Sequence, residues 1–296
     1  MTDPLPGLAG AELLLVASYG RAGSSRLMEV MQLTRAATVL GPFPFENRSL
    51  QFGALCFADA GTVGLDGSLT FDGFSYPPPV ARDLDESEGD YRQRVLDEYG
   101  YLLPYALADL RTDPGGPGMP ADPPGPIVAE KSAGLGIVEK VLTFIPASRC
   151  VVLDRDPRDV FVSVLQFNQR RGFVSFGAED GTLRLAQRIA EYYLGAADLV
   201  ARWPGRASVV DYAQLIGDPL AALRSVTNWE GRSNQMRRAL TEVANPDHVT
   251  AASTKASVGR WRRHRERWAV EFAVLSDAHR RFTRRLAATG NRPDRS

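Results

Sequence analysis

Leu13-Leu14-Leu15-Val16-Ala17 is a short run with no polar position, the pattern of a strand buried on both faces of a parallel sheet. It gives way to Ser18-Tyr19-Gly20-Arg21-Ala22-Gly23-Ser24-Ser25, after which Leu27, Val30, Met31 and Thr34 recur at helical spacing. Strand, glycine-containing loop and helix in that order open a βαβ unit. Further strands are predicted at residues 127–130, 150–153 and 207–212, and helices at 159–170, 183–203, 219–228 and in an Arg-rich stretch after Trp261. This alternation predicts an α/β fold of three layers, a central, mostly parallel sheet flanked by helices.

Residues 112–126 (TDPGGPGMPADPPGP) break the pattern, because proline removes backbone donors and glycine adds chain entropy; a surface loop or lid edge is expected there. With 44% hydrophobic residues in 296, and no internal repeat, the chain can bury one large core, so residues 1–296 are read as a single domain with an Arg-rich helical segment at 260–290. Lys plus Arg equals Asp plus Glu at 35 each, which gives no long-range attraction to nucleic acid or an anionic membrane; any anion site must be local. Cys56 and Cys150 form neither a disulfide framework nor a zinc cluster and read as small buried hydrophobes of a reducing compartment. The N-terminus lacks a basic segment, and residues 13–17 are too few for a signal peptide or a span, so a cytoplasmic protein without membrane association is expected. Lys131, Lys140 and Lys255 are the only lysines, which gives each of them added weight.

The first loop can carry chemistry. A strand that turns through Gly20 and Gly23 into a helix aims backbone N–H groups and the helix dipole at one point, where phosphate binds. Ser24 and Ser25 add hydroxyl donors, and Arg21 adds a permanent cation with a planar fork of donors. The plainer reading is a tight connection. A second constellation is Val151-Val152-Leu153-Asp154-Arg155-Asp156-Pro157-Arg158-Asp159, running on to Ser163. Here a buried strand delivers Arg155 to the sheet edge where ligands of open α/β sheets bind. Pro157 is expected to precede a helix, Asp159 to cap it or lie in its first turn, and Ser163 to share the Asp159 face. Arg155 and Ser163 can then converge on a second phosphate. A solvated charge cluster explains the aspartates but not two arginines set against a helix N-terminus.

Together these segments resemble the cytosolic and bacterial sulfotransferase family over most of the chain. The resemblance implies a P-loop-type fold and 3′-phosphoadenosine 5′-phosphosulfate (PAPS) as sulfuryl donor, leaving 3′-phosphoadenosine 5′-phosphate (PAP), with no metal required. The family's 5′-phosphosulfate loop corresponds to Arg21-Ala22-Gly23-Ser24-Ser25. Arg26 stands where some members carry an aromatic, so adenine stacking must come from elsewhere. The Arg-x-x-Arg-Asp segment with a Ser eight residues on, which binds the 3′-phosphate, corresponds to Arg155, Arg158, Asp159 and Ser163. Val209-Val210-Asp211-Tyr212-Ala213 resembles a strand whose Tyr lies near the adenine; Ala213 replaces an acidic residue, and only Tyr212 carries over. Lys255-Ala256-Ser257-Val258-Gly259-Arg260-Trp261 resembles the phosphate-covering loop, which implies roles for Lys255, Gly259 and Arg260, although Thr254 and Ala256 depart from the fuller Arg-Lys-Gly form.

Sulfuryl transfer needs charge stabilisation at the leaving oxygen and a base for the acceptor hydroxyl. Arg21 is the candidate for the first, standing where many members use Lys. For the base, Glu46 in Gly41-Pro42-Phe43-Pro44-Phe45-Glu46 matches a Glu used by some members, and flanking phenylalanines would raise its pKa; a solvated loop carboxylate is the bland alternative. The alternative site is Glu130 with Lys131, in the strand where other branches place a catalytic His. His248, His264 and His279 read as surface or packing residues. Two other classes compete. A P-loop kinase would use Asp154 on Mg²⁺, against which the loop lacks Gly-Lys-Ser/Thr. A nucleic-acid binder would use Arg260-Trp261-Arg262-Arg263-His264-Arg265-Glu266-Arg267-Trp268, which equally suits a helix packed through its tryptophans. Residues 112–126, 71–76 and 173–176 are expected to frame an apolar pocket for a small hydroxyl acceptor such as a phenol, lipid, sugar or natural-product alcohol.

Overall fold

A computed structural model of the chain describes residues 12–34, 36–39, 69–71, 74–76, 85–87, 90, 94, 127–132, 134–144, 147–172, 174–227 and 257–290. The apolar run near the N-terminus is strand β1 (Glu12–Ala17), and the glycine loop leads into helix α1 (Ser24–Thr34) and the two-residue strand β2 (Thr38–Val39). A short antiparallel hairpin, β3 (Leu69–Phe71) and β4 (Phe74–Tyr76), precedes β5 (Ile127–Ser132), α2 (Leu135–Phe144) and β6 (Ser148–Asp154). Then come α3 (Pro157–Arg171), α4 (Thr182–Arg202), β7 (Ala207–Asp211), α5 (Tyr212–Gly217) and α6 (Pro219–Thr227). A 3-10 turn (Arg260–His264) and helix α7 (Ala269–Ala288) complete the described elements.

The main sheet is parallel throughout, in the order β2-β5-β1-β6-β7. Side chains alternate across a strand, so β1 serves two cores at once. Leu13, Leu15 and Ala17 pack with α2, α3, α4 and α7, through Val138, Phe161, Ile189 and Phe282 among others. Leu14 and Val16 pack with α1, α5 and α6, through Leu27, Met31, Leu215 and Leu223. This is the three-layer α/β architecture, with helices on both faces of the sheet. Burying apolar side chains from both faces removes β1 from water entirely, which is why its sequence carries no polar alternation.

The chain passes from β5 on one side of β1 to β6 on the other, so the carboxyl ends of β1 and β6 meet at a topological switch point. Ala17 is in register with Val152, which sets the loop after β1 beside the segment that leaves β6.

The start of α3 differs from expectation. Pro157 is its first residue rather than the one before it, and the cap is Asp156, whose Oδ1 accepts the Arg158 N–H at 3.0 Å. Proline fits there because the first helical N–H has no intrahelical partner to lose. Asp159 therefore lies within the first turn, free for another task. The helix ends at Gly172, whose left-handed φ of 69° lets its N–H reach the Asn168 carbonyl.

Candidate active site

The loop after β1 turns tightly: the Ala22 N–H reaches the Tyr19 carbonyl at 3.1 Å, and the N–H groups of Arg26 and Leu27 both return to the Gly23 carbonyl. Two residues lie in the left-handed region, Arg21 (φ 70°) and Gly23 (φ 111°). A left-handed arginine is uncommon and stores backbone strain, so the surroundings must impose it. The glycines have a second purpose beyond the turn. A Cβ on Gly20 would run into the Phe176 ring, and one on Gly23 into the Tyr212 ring. The loop is thus glycine-containing because aromatic rings close on its backbone.

Arg155 leaves β6 and enters this loop. Its Nη1 donates to the Arg21 carbonyl at 2.6 Å and its Nη2 to the Ser257 carbonyl at 3.1 Å, while its guanidinium lies 4.6 Å from the centre of the Tyr212 ring. The Tyr193 hydroxyl donates to the Arg155 carbonyl and fixes the turn from behind. The Arg21 guanidinium lies over Phe167, 4.6 Å from the ring centre. Burial, and after it the charge of Arg155, pushes the Arg21 pKa down. Among the described residues no carboxylate is in ion-pair contact with either guanidinium, and the Nε atoms of both are buried without a hydrogen-bond partner. Two cations with spare donors, Arg155 buried and Arg21 half-buried, at a strand-to-helix turn, are an arrangement chemically suited to an anion.

The other expected residues divide into three groups. Lys131, at the end of β5, donates from Nζ to Ser25 Oγ at 3.2 Å and so joins the first loop. Tyr212 opens α5, and its hydroxyl is 3.1 Å from Ser257 Oγ. Ser24 and Ala22 are buried in the loop, and Ser163 is buried on α3, on the Asp159 face. Gly259 and Arg260 belong to a turn tied to α3: the Gly259 N–H donates to Asp159, and Arg260 Nη1 donates to Gln166 Oε1 at 2.8 Å. Burial, then the charge of Arg155, lowers the Arg260 pKa.

Three residues point elsewhere. Arg26 pairs with Glu29 of its own helix at 2.7 Å. Arg158 folds back on Asp156 and lies 3.6 Å from the centre of the Trp261 ring, so it braces the C-terminal segment rather than facing the first loop. Glu130 is fully buried on the sheet face opposite Lys131. Glu46 and Lys255 lie outside the described residues, as do residues 112–126, Cys56 and Phe173.

A cavity of about 590 Å³ opens beside this constellation, lined by Arg155, Asp159, Tyr212, Gln214, Val258 and His279. Its other four carboxylates are engaged: Asp154 with His279 Nε2 at 2.9 Å, Asp156 with Arg158 at 2.6 Å, Asp211 with the Gln214 N–H at 2.9 Å, and Asp218 with the Ala221 N–H at 3.1 Å. His279 also stacks on Phe282, so it is a packing residue with a polar tie that the sequence did not reveal. Trp261 and Trp268 meet Phe272 and Phe161 edge to face, which turns both indoles toward the core.

The profile of the sulfotransferase family matches residues 90–235, a span that contains β5, β6, α3 and β7 and therefore Arg155, Ser163 and Tyr212. That match supports sulfuryl transfer in general and favours it over the kinase reading of Asp154. No curated protein sequence matches the chain. Among solved structures it is similar to the sulfotransferase domain from the curacin biosynthetic pathway (14% identity, TM-score 0.48, covering 94% of this chain and 98% of that one). It is also similar to the sulfotransferase domain from the Synechococcus PCC 7002 olefin synthase (14% identity, TM-score 0.47, 92% and 94% covered). A third is retinol dehydratase in complex with androsterone and the inactive cofactor PAP (15% identity, TM-score 0.44, 96% and 83% covered). None of the described helices is long and apolar enough to cross a membrane.

Proposed function

We propose that the chain transfers the sulfuryl group of PAPS to a hydroxyl of a small-molecule acceptor, within a single domain. The observation that carries this reading is the pair Arg21 and Arg155: two guanidiniums, the first half-buried and the second buried, with no carboxylate in ion-pair contact among the described residues, each with an unused Nε, joined across the mouth of the first loop. That arrangement suits a ligand with anionic groups at two points better than a neutral one.

The residues present fit such a nucleotide. The first loop with Arg21, Ser24, Ser25 and Lys131 would hold the 5′-phosphosulfate end. Arg155, Ser163 and the turn at Gly259 and Arg260 would hold the 3′-phosphate. Tyr212 and the cavity beside it have the place and size for the nucleoside. When bound, PAPS supplies a sulfuryl group whose sulfur–oxygen bond to phosphate breaks as a bond to the acceptor oxygen forms.

Arg21 stabilises negative charge where the phosphate oxygen departs and, being an arginine, donates hydrogen bonds rather than a proton. Phe167 holds its guanidinium from one side, and the Arg155 contact holds its carbonyl from the other. Glu46 is the proposed base for the acceptor proton. Glu130 is a weaker candidate for that role, because its carboxylate is fully buried. The inward packing of Trp261 and Trp268 supports a structural part for the Arg-rich segment over base stacking.

Incubation of the protein with PAPS and a mixed panel of phenols, sterols, sugars and aliphatic alcohols, read by mass spectrometry for a gained SO₃, tests the reaction. Enzyme-dependent sulfation of at least one acceptor supports it. Release of PAP and inorganic sulfate at the same rate with and without every acceptor would contradict it.

A further inference from the structure

Asp159 sits in the first turn of α3, where a carboxylate commonly caps its own helix, yet it does not do so. Its Oδ2 accepts the Gly259 N–H at 2.6 Å and its Oδ1 accepts the Trp261 N–H at 2.9 Å. Both donors lie about a hundred residues along the chain, and the carboxylate is only 2% exposed. Neighbouring contacts secure the same turn. Arg158 covers the Trp261 indole and donates to Ser276 Oγ at 3.3 Å, and Arg155 and Tyr212 both hold Ser257. Gly259 is left-handed at φ 72°, a conformation that glycine supplies without strain where the turn needs it.

The residue between the two clamped amides is Arg260. Fixing the N–H groups on either side of it fixes where its side chain leaves the backbone, toward Gln166 and the Arg155 charge. We propose that Asp159 is a positioning residue: its two carboxylate oxygens hold residues 257–261 as a strap over the 3′-phosphate end of the donor site, setting Arg260 and Ser257 against Arg155. This rests on the donor-site reading above. Burial raises the Asp159 pKa, opposed by the two N–H donors and by Arg155, and assisted by Asp156; the buried carboxylate is kept for a specific pair of donors.

Calorimetric titration of Asp159→Asn and the wild-type chain, each with PAP and with AMP, tests the clamp. The amide of Asn turns one acceptor into a donor facing an N–H. The expected result is a roughly ten- to hundredfold loss of PAP affinity, with AMP affinity changed by less than about twofold. A variant that keeps the wild-type ratio of PAP to AMP affinity overturns the proposal. A wild-type chain that fails to prefer PAP overturns the donor-site reading instead, and the clamp is then judged by hydrogen exchange. In the wild-type chain the Gly259 and Trp261 amides should be protected; exchange at the rate of free peptide overturns the clamp, even if Asp159→Asn does not fold.

Discussion

Arg155 Nη1 donates to the main-chain carbonyl of Arg21 at 2.6 Å, so the residue that leaves β6 holds in place the residue that turns out of β1. Arg21 is left-handed, a conformation an arginine does not choose by itself, and this hydrogen bond is part of what imposes it. The two ends of the proposed donor site are in this way one mechanical unit. A change at Arg155 should be felt at Arg21.

Arg155→Ala is expected to weaken PAP binding by roughly one to two orders of magnitude, because it removes a buried charged donor and releases the Arg21 carbonyl. Arg155→Lys keeps the charge but cannot span Arg21 and Ser257 with a fork, and should recover less than half of the lost binding free energy. Calorimetry with PAP checks both.

Arg21→Ala is expected to lower kcat by about 100- to 1000-fold, with a smaller effect on PAP affinity, if its guanidinium meets charge that develops only as the bond breaks. Steady-state kinetics with a sulfated acceptor separates the two effects. Equal losses in binding and turnover would assign Arg21 to ground-state binding alone.

The fold was legible because its strands are short apolar runs and its helices have clear periodicity: β1, β6 and α4 follow directly from the pattern. The turn that leads from β1 into α1 was legible too, since Gly20, Arg21, Ala22, Gly23, Ser24 and Ser25 are contiguous. What the sequence could not reveal are contacts made between segments far apart. Asp159 with Gly259, Gly20 with Phe176, and Asp154 with His279 depend on tertiary register that no local pattern encodes. Arg158 reads identically to Arg155 in a string of charges, yet the capping geometry of Asp156 turns it toward Trp261.

Gly23→Ala combines a positive φ with a collision against the Tyr212 ring, and is expected to destabilise the chain by on the order of 1–3 kcal/mol while weakening PAP binding. Gly20→Ala, facing Phe176 without a positive φ, should disturb the loop through the ring alone. Thermal unfolding of the two variants side by side measures the difference.

Cys150 is buried in β6, and burial pushes its thiol up to about 12. A pKa raised on folding contributes stability that is complete below the unfolded thiol's pKa, near 8.5, and is lost as pH rises through about 12. At pH 8 Cys150 in the folded chain is therefore expected to resist a thiol-labelling reagent that reacts readily once the chain is unfolded. Labelling of a Cys56→Ser variant, followed by peptide mapping, reads this directly.

Glu46→Gln should leave PAP affinity within about twofold and lower kcat by roughly 100-fold or more, the range of a lost general base. Normal turnover in that variant would remove Glu46 from the reaction.

The most direct test of the central claim is calorimetric titration of the wild-type chain with PAP, against AMP and against ATP with Mg²⁺. The account predicts tight binding of PAP without metal, and measurable but much weaker binding of AMP because Arg155 and the 257–261 turn then have no 3′-phosphate to hold. Preference for ATP with Mg²⁺, or equal binding of PAP and AMP, would contradict it.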